Sequence, residues 1–172
     1  EQQEELGTSL STEKLQENFH EEYYSSWIYT VVHMSYTLKE TPSVESLSKN
    51  LGVAESTLKS VINYLLESNL LKLDPKTGKI SPGKSRVYLS NKSRLSKLYH
   101  QNFRILSLSR LGAPTTNDVR YSSAHTLSKK DLIELKNMIK EFLVKSDHLI
   151  KPSAEEVLVV MNLDLLELDL PN

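Results

Sequence analysis

The sequence predicts an α+β fold that is mainly helical, with little strand. Three observations carry this. Two short amphipathic stretches meet at a glycine in VESLSKNLGVAESTLKSVINYLLES, Val44 to Ser68. A basic hairpin signal, LLKLDPKTGKI, follows at once. The final third then sets one long amphipathic helix between two β-prone runs.

Bulk properties bound what such a chain can be. Its 172 residues, 38% apolar, suffice for one core, or one core and a small second lobe. The absence of cysteine excludes disulfide scaffolds, thiolate zinc sites and thiol catalysis, and fits the reducing cytoplasm where we expect the protein to work. No run of about 18 apolar residues offers a membrane span, and no membrane partner is expected. The opening EQQEELGTSLSTEK carries four acidic residues and one lysine, the reverse of a signal peptide. With no initiator methionine, it reads either as part of a longer protein or as a chain with a disordered beginning.

The net charge of −1 hides a pattern. Residues 1–70 hold 4 Lys and 11 Asp/Glu, a net −7; residues 71–110 hold 10 Lys/Arg and one Asp, a net +9; residues 111–172 hold 7 basic and 10 acidic groups, a net −3. A basic middle between acidic flanks points either to a polyanion-facing surface or to a solvated face whose cations meet the flanking carboxylates.

Each element follows from its residues. After a polar lead over residues 1–18, STEKLQENFHEEYYSSWIYTVVHMSYTLKE reads as one helix, its Tyr23, Trp27 and Val31 at helical spacing with Ile28 and Val32 beside them. A Tyr/Trp stripe at that spacing is read as core packing rather than a stacking platform for bases. Pro42 ends the helix and Ser43 caps the next, Val44 to Asn50, with Val44, Leu47 and Leu51 inward. Gly52 supplies the positive φ of a tight bend. From about Ala54 to Ser68 a second helix places Leu58, Val61, Ile62, Leu65 and Leu66 at i, i+3, i+4, i+7 and i+8. This is a helix-turn-helix. Strand-like LLKL, a turn from Asp74 to Gly78, a returning KIS and the further β-prone run VYLS add a wing, with Lys72, Lys76, Lys79, Lys84 and Arg86 on or near it. The winged helix-turn-helix is thus placed over residues 19–92.

Residues 93–172 read as a helix plus a strand-helix-strand lobe. In Ser93 to Gly112 the face Leu95, Leu98, Tyr99, Asn102, Ile105, Leu106 and Ser109 is inward. VRYSSAHTLS and EEVLVVMNLDLLEL read as strands on either side of SKKDLIELKNMIKEFLVKSDHL, which Ser128 caps and whose stripe is Leu132, Leu135, Ile139, Phe142 and Leu143.

The order SSWIYTVVHMSYTL, the helix-turn-helix and hairpin, YHQNFRILSLSRL and RYSSAHTLS resembles an uncharacterised bacterial family of winged-helix proteins from predatory and fibre-degrading bacteria. The resemblance spans about Phe19 to Leu168 and rests on Trp27, Leu51–Gly52, Tyr99–His100 and the pattern Arg120, Ser123, Thr126. It implies a winged-helix transcriptional regulator, whose members carry a further N-terminal segment.

No catalytic constellation accompanies these features, and the reading is of a non-enzyme with neither cofactor nor metal. His20, His33, His100, His125 and His148 lack metal-ligand spacing. There is no G-x-S-x-G, no G-x-G-x-x-G and no Walker sequence. His100 and His125, within the two motifs, are expected as buried, hydrogen-bonded histidines. Arg120, Ser122, Ser123 and Thr126 would either cradle an anion or a signal molecule, or form a strand edge or a domain contact.

Two functions remain. In the first, double-stranded DNA is the partner. The second helix presents Ser56, Thr57, Lys59, Ser60 and Asn63 to base edges and phosphates, and Lys76, Lys79 and Arg86 hold flanking phosphates. The C-terminal lobe then serves a homodimer or signal input. In the second, the winged helix is a scaffold for protein interaction, with the acidic Phe19–Glu40 helix and the basic 71–110 segment paired across a dimer. Where the basic segment points discriminates between them.

Overall fold

A computed structural model of the chain describes residues 17–83, 89, 93–112 and 117–168. Among these residues the order is α1 (Glu17–Ser25), α2 (Trp27–Ser35), α3 (Val44–Leu51), α4 (Glu55–Glu67), β1 (Leu71–Leu73), β2 (Ile80–Pro82), α5 (Arg94–Ser109) and α6 (Lys129–Ile150). The fold is α+β and mainly helical, with a two-stranded antiparallel sheet. The chain divides into one unit of Glu1–Ser109 with Ala154–Val160, and a second of Arg110–Ser153 with Met161–Asn172.

The expected long first helix is two helices. Ser26 breaks it: its backbone is extended, at φ −146° and ψ 146°, and its hydroxyl accepts from the Ile28 N–H at 3.4 Å, capping α2. Ser25 instead donates its hydroxyl to the Glu22 carbonyl at 2.7 Å. Paired serines offer the backbone such local alternatives, and the break lets both helices turn aromatic residues inward.

The first unit has its core in these helices and the pair that follows. Tyr23, Tyr24, Val32 and Tyr36 are buried with Leu47 of α3, with Leu58, Val61, Ile62, Tyr64 and Leu65 of α4, and with Leu70 and Leu71. The rings pack edge to face: Tyr23–Tyr24 centroids lie 5.1 Å apart, Tyr24–Tyr99 5.2 Å and Tyr29–Tyr64 5.0 Å. The tyrosine stripe is core, as expected. Burial lifts the Tyr23, Tyr24, Tyr36 and Tyr99 phenols above their ordinary value, and pushes Tyr64 up to about 12.

In α5 the inward face is rotated from the expected one. Ser96, Asn102, Phe103 and Leu106 are buried, whereas Ile105 is 47% exposed. Phe103 draws the helix round by joining Val31, Leu106 and half-buried Trp27 in a second cluster, with Tyr99 packed edge to face against it at 4.8 Å. The Asn102 side chain donates to the Tyr24 carbonyl at 2.8 Å, a buried bond tying α5 to α1. Residues Ala154–Val160 return to this unit, where the Lys39 N–H donates to the Glu155 carbonyl at 2.8 Å.

The expected strand-helix-strand lobe departs most from expectation. Its helix α6 forms, capped by Ser128, whose hydroxyl accepts from the Asp131 N–H at 3.0 Å. VRYSSAHTLS and EEVLVVMNLDLLEL form no strand among the described residues. Both are rich in β-formers, but a strand exists only through a ladder partner, and neither run has one in the sheet. The strand-helix-strand arrangement is therefore a helix and two segments without regular secondary structure among the described residues.

Candidate nucleic-acid interface

The helix-turn-helix is built by local signals that agree with the packing. The Ser43 hydroxyl accepts from the Ser46 N–H at 3.1 Å and starts α3. Gly52 ends it in the left-handed conformation, φ 67° and ψ 31°, with its N–H donating to the Ser48 carbonyl. A side chain there would be strained, and the turn depends on that freedom. The buried face of α4 then dictates its outward face. Ser56, Lys59, Ser60 and Asn63 are exposed at i, i+3, i+4 and i+7, one row along the helix, and Thr57 is exposed beside it. All five residues predicted to face DNA on this helix point to solvent.

The charge on that row is mixed. Lys59 pairs with Glu55 at 3.3 Å, an i, i+4 ion pair between exposed side chains. Such a pair is worth about 0.3–0.5 kcal/mol, little enough for a phosphate to displace the carboxylate from Lys59. Glu55 also occupies the helix start, where the dipole favours an anion. Glu67, exposed in the last turn, extends the same row with a second carboxylate. The Ser60 hydroxyl donates to the Ser56 carbonyl at 3.2 Å, which leaves its oxygen to accept.

The hairpin is short and well tied. Leu71 pairs with Pro82, Lys72 with Ser81 and Leu73 with Ile80. Its tip is organised by Asp74, a role the sequence reading assigned only to a turn. One carboxylate oxygen accepts from the Lys76 N–H at 2.8 Å and the other from the Thr77 hydroxyl at 2.7 Å. The Asp74 N–H donates to the Lys79 carbonyl at 2.9 Å, and Gly78 sits at φ 70°. The sequence signal was present in Asp-Pro-Lys-Thr-Gly, an Asx-turn pattern. At the root, Gly83 donates to the Leu70 carbonyl at 2.8 Å, and a Cβ there would collide with the Asn69 carbonyl oxygen. Lys72, Lys76 and Lys79 are all exposed on this hairpin. Arg86, Lys84 and most of VYLS lie outside the described residues. Of the remaining basic segment, Arg94 pairs with Glu21 of α1, so one contact expected across a dimer lies within the chain.

The other candidates resolve differently. His100 and His125 are exposed rather than buried; among the described residues His33 is buried, its Nδ1 3.0 Å from the Tyr23 hydroxyl. Arg120 is turned to the Asp118 carboxylate at 2.6 Å and the Arg110 carbonyl at 2.9 Å. Ser122, Ser123 and Thr126 are exposed and belong to no strand. Among the described residues, no group of three His, Asp or Glu is placed to hold a metal ion, and no helix is long and apolar enough to cross a membrane.

Helix α3, the Gly52 turn, helix α4 and a tied antiparallel hairpin thus follow one another along the chain. Residues 7–168 match the family described as Domain of unknown function (DUF4423), and the chain belongs to it. No curated protein matches the chain. No solved structure matches it either.

Proposed function

We propose that the chain is a winged-helix transcriptional regulator that binds double-stranded DNA, with α4 in the major groove and the wing on a flanking phosphate run. The observation that carries this reading is the exposed row Ser56, Lys59, Ser60 and Asn63, followed within a few residues by a hairpin that exposes Lys72, Lys76 and Lys79. Asn63 has the donor and acceptor pair that reads adenine, and the Ser56 and Ser60 hydroxyls suit donor or acceptor base edges. The lysines supply sequence-independent affinity through counterion release. Such a regulator would act in the cytoplasm, with its second unit free for self-association or signal input.

The test is fluorescence anisotropy with random-sequence duplex DNA over a salt series, on the chain and on a Lys76→Ala/Lys79→Ala variant. Binding should fall steeply with salt. The variant should bind more weakly at every sequence, with its log K against log salt slope shallower by about 2, roughly 0.9 for each lost phosphate contact. Absence of binding at low salt would sink the proposal. It would favour a second reading, a protein-interaction scaffold, which has its own support in the carboxylates of Glu55 and Glu67 on the outward row.

A further inference from the structure

We propose that the Glu55–Lys59 pair of α4 reads one G·C base pair in the major groove, Lys59 on the guanine and Glu55 on the cytosine. The inference rests on the DNA-binding reading above and assigns a base pair to that site. Lys59 Nζ lies 3.3 Å from Glu55 Oε2, and both side chains are open to solvent, Lys59 at 65% and Glu55 at 48%. They stand on one exposed row of the helix, which Asn63 continues, each residue four beyond the last. A carboxylate on a surface that seeks phosphate is otherwise out of place. In the first turn of α4 it suits the helix dipole. That role needs no lysine one turn further on, and the pair carries no net charge with which to hold a polyanion.

Opposite charges side by side match a surface that sets an acceptor beside a donor. The major-groove edge of G·C does this: guanine offers O6 and N7 as acceptors, and cytosine offers its N4 amino group as donor. O6 and N4 are the two ends of a Watson–Crick hydrogen bond and lie about 2.9 Å apart. The separation of Lys59 and Glu55, 3.3 Å, is close to that. An ammonium has further donors, and a carboxylate further lone pairs, beyond the one bond that joins them. Lys59 can therefore keep Glu55 while donating to guanine O6. Glu55 in turn accepts the N4 proton that cytosine does not use in pairing. The four groups close a ring in which every donor faces an acceptor.

The A·T edge also sets a donor beside an acceptor, adenine N6 next to thymine O4, but it fits less well. Adenine N7 lies next to N6, and its lone pair would face the Glu55 carboxylate. The thymine methyl group stands beside O4, in the approach of Lys59. Against G·C neither conflict arises, and N7 gives Lys59 a second acceptor. A phosphate fits worst, because Glu55 repels the anion that Lys59 attracts.

Selection from a duplex DNA library with a random core, followed by sequencing of the retained fraction, tests the assignment on the chain itself. The retained duplexes should share a G·C pair in fixed orientation. Changing that pair alone should weaken binding about 5- to 150-fold, the range of a single mismatched pair. Glu55→Gln should move the preference at the cytosine to adenine, whose N6 and N7 suit an amide. The same variant should bind random duplex more tightly, since a carboxylate has left the surface that meets phosphates. Lys59→Ala should remove the preference at the guanine without installing another. Both positions are exposed, so both variants should keep the parent's far-UV circular dichroism. If the pair served only the helix, both variants would weaken every duplex alike and leave the preferred sequence unchanged, which overturns the inference. A retained motif without such a G·C pair overturns it too, while DNA binding itself stands. Retention of no duplex at all overturns the DNA-binding reading, and this inference falls with it.

Discussion

Asp74 holds the hairpin tip through its side chain, and its own ionisation follows from that role. The Thr77 hydroxyl and the Lys76 N–H donate to the carboxylate, and these bonds, that from Thr77 foremost, hold its pKa below the ordinary carboxylate value. The folded value is depressed, so the tip's ordering is fully present above the unfolded value, near 3.9, and is lost as pH falls through the folded one. An NMR titration should therefore find the Asp74 carboxyl ionising below about 3.9. Asp74→Ala should collapse the distinct amide shifts of Lys76 and Gly78 at neutral pH. Unchanged shifts in that variant would show that the backbone bonds alone suffice.

Among the elements, α3 and α4 were readable because every local cue agrees with the burial it serves. Ser43 caps, Gly52 turns left-handed, and Leu58, Val61, Ile62 and Leu65 land in the core. The break at Ser26 was not readable, because apolar spacing runs through it unbroken and only the side-chain cap reveals it. The runs around 119–127 and 155–168 misled for a different reason. Val, Leu and Tyr content reports a taste for extended backbone, whereas a strand needs a neighbour that sequence alone does not specify. The outward residues of α4 were legible as the complement of its buried stripe, but Glu67's place on the same row was missed. These contrasts carry a measurable difference. Leu58→Ala, at a fully buried position, should cost about 2–5 kcal/mol in denaturant titrations. Leu149→Ala, 75% exposed, should stay within about 0.5 kcal/mol under conditions where the chain is monomeric. Equal costs would mean that α6 has a core of its own.

For the chain as a unit, the buried tyrosines set an alkaline limit. Tyr29 and Tyr64 are both pushed up to about 12, first by burial and then by the nearby Glu22 carboxylate, to which the Tyr29 hydroxyl donates at 2.9 Å. In the unfolded chain tyrosines ionise near 10. Between these values the folded chain keeps protons that the unfolded chain has released. Stability should be complete below about pH 10 and fall as pH rises toward 12, since the state binding fewer protons is favoured there. Absorbance at the tyrosinate band and denaturant midpoints followed together should show unfolding and ionisation coinciding. Ionisation of most tyrosines near 10 with the fold intact would contradict the packing described.

The placing of the aromatic residues has an optical consequence. The single tryptophan, Trp27, and seven of the eight tyrosines belong to the first unit, leaving Tyr121 alone in the second. Intrinsic fluorescence excited at tryptophan is thus a spectroscopic label on one unit, installed by the sequence itself, while α6, the longest helix, weighs heavily in circular dichroism. Recording both signals along one denaturation would separate the melting of α6 from that of the tyrosine core without any engineered dye.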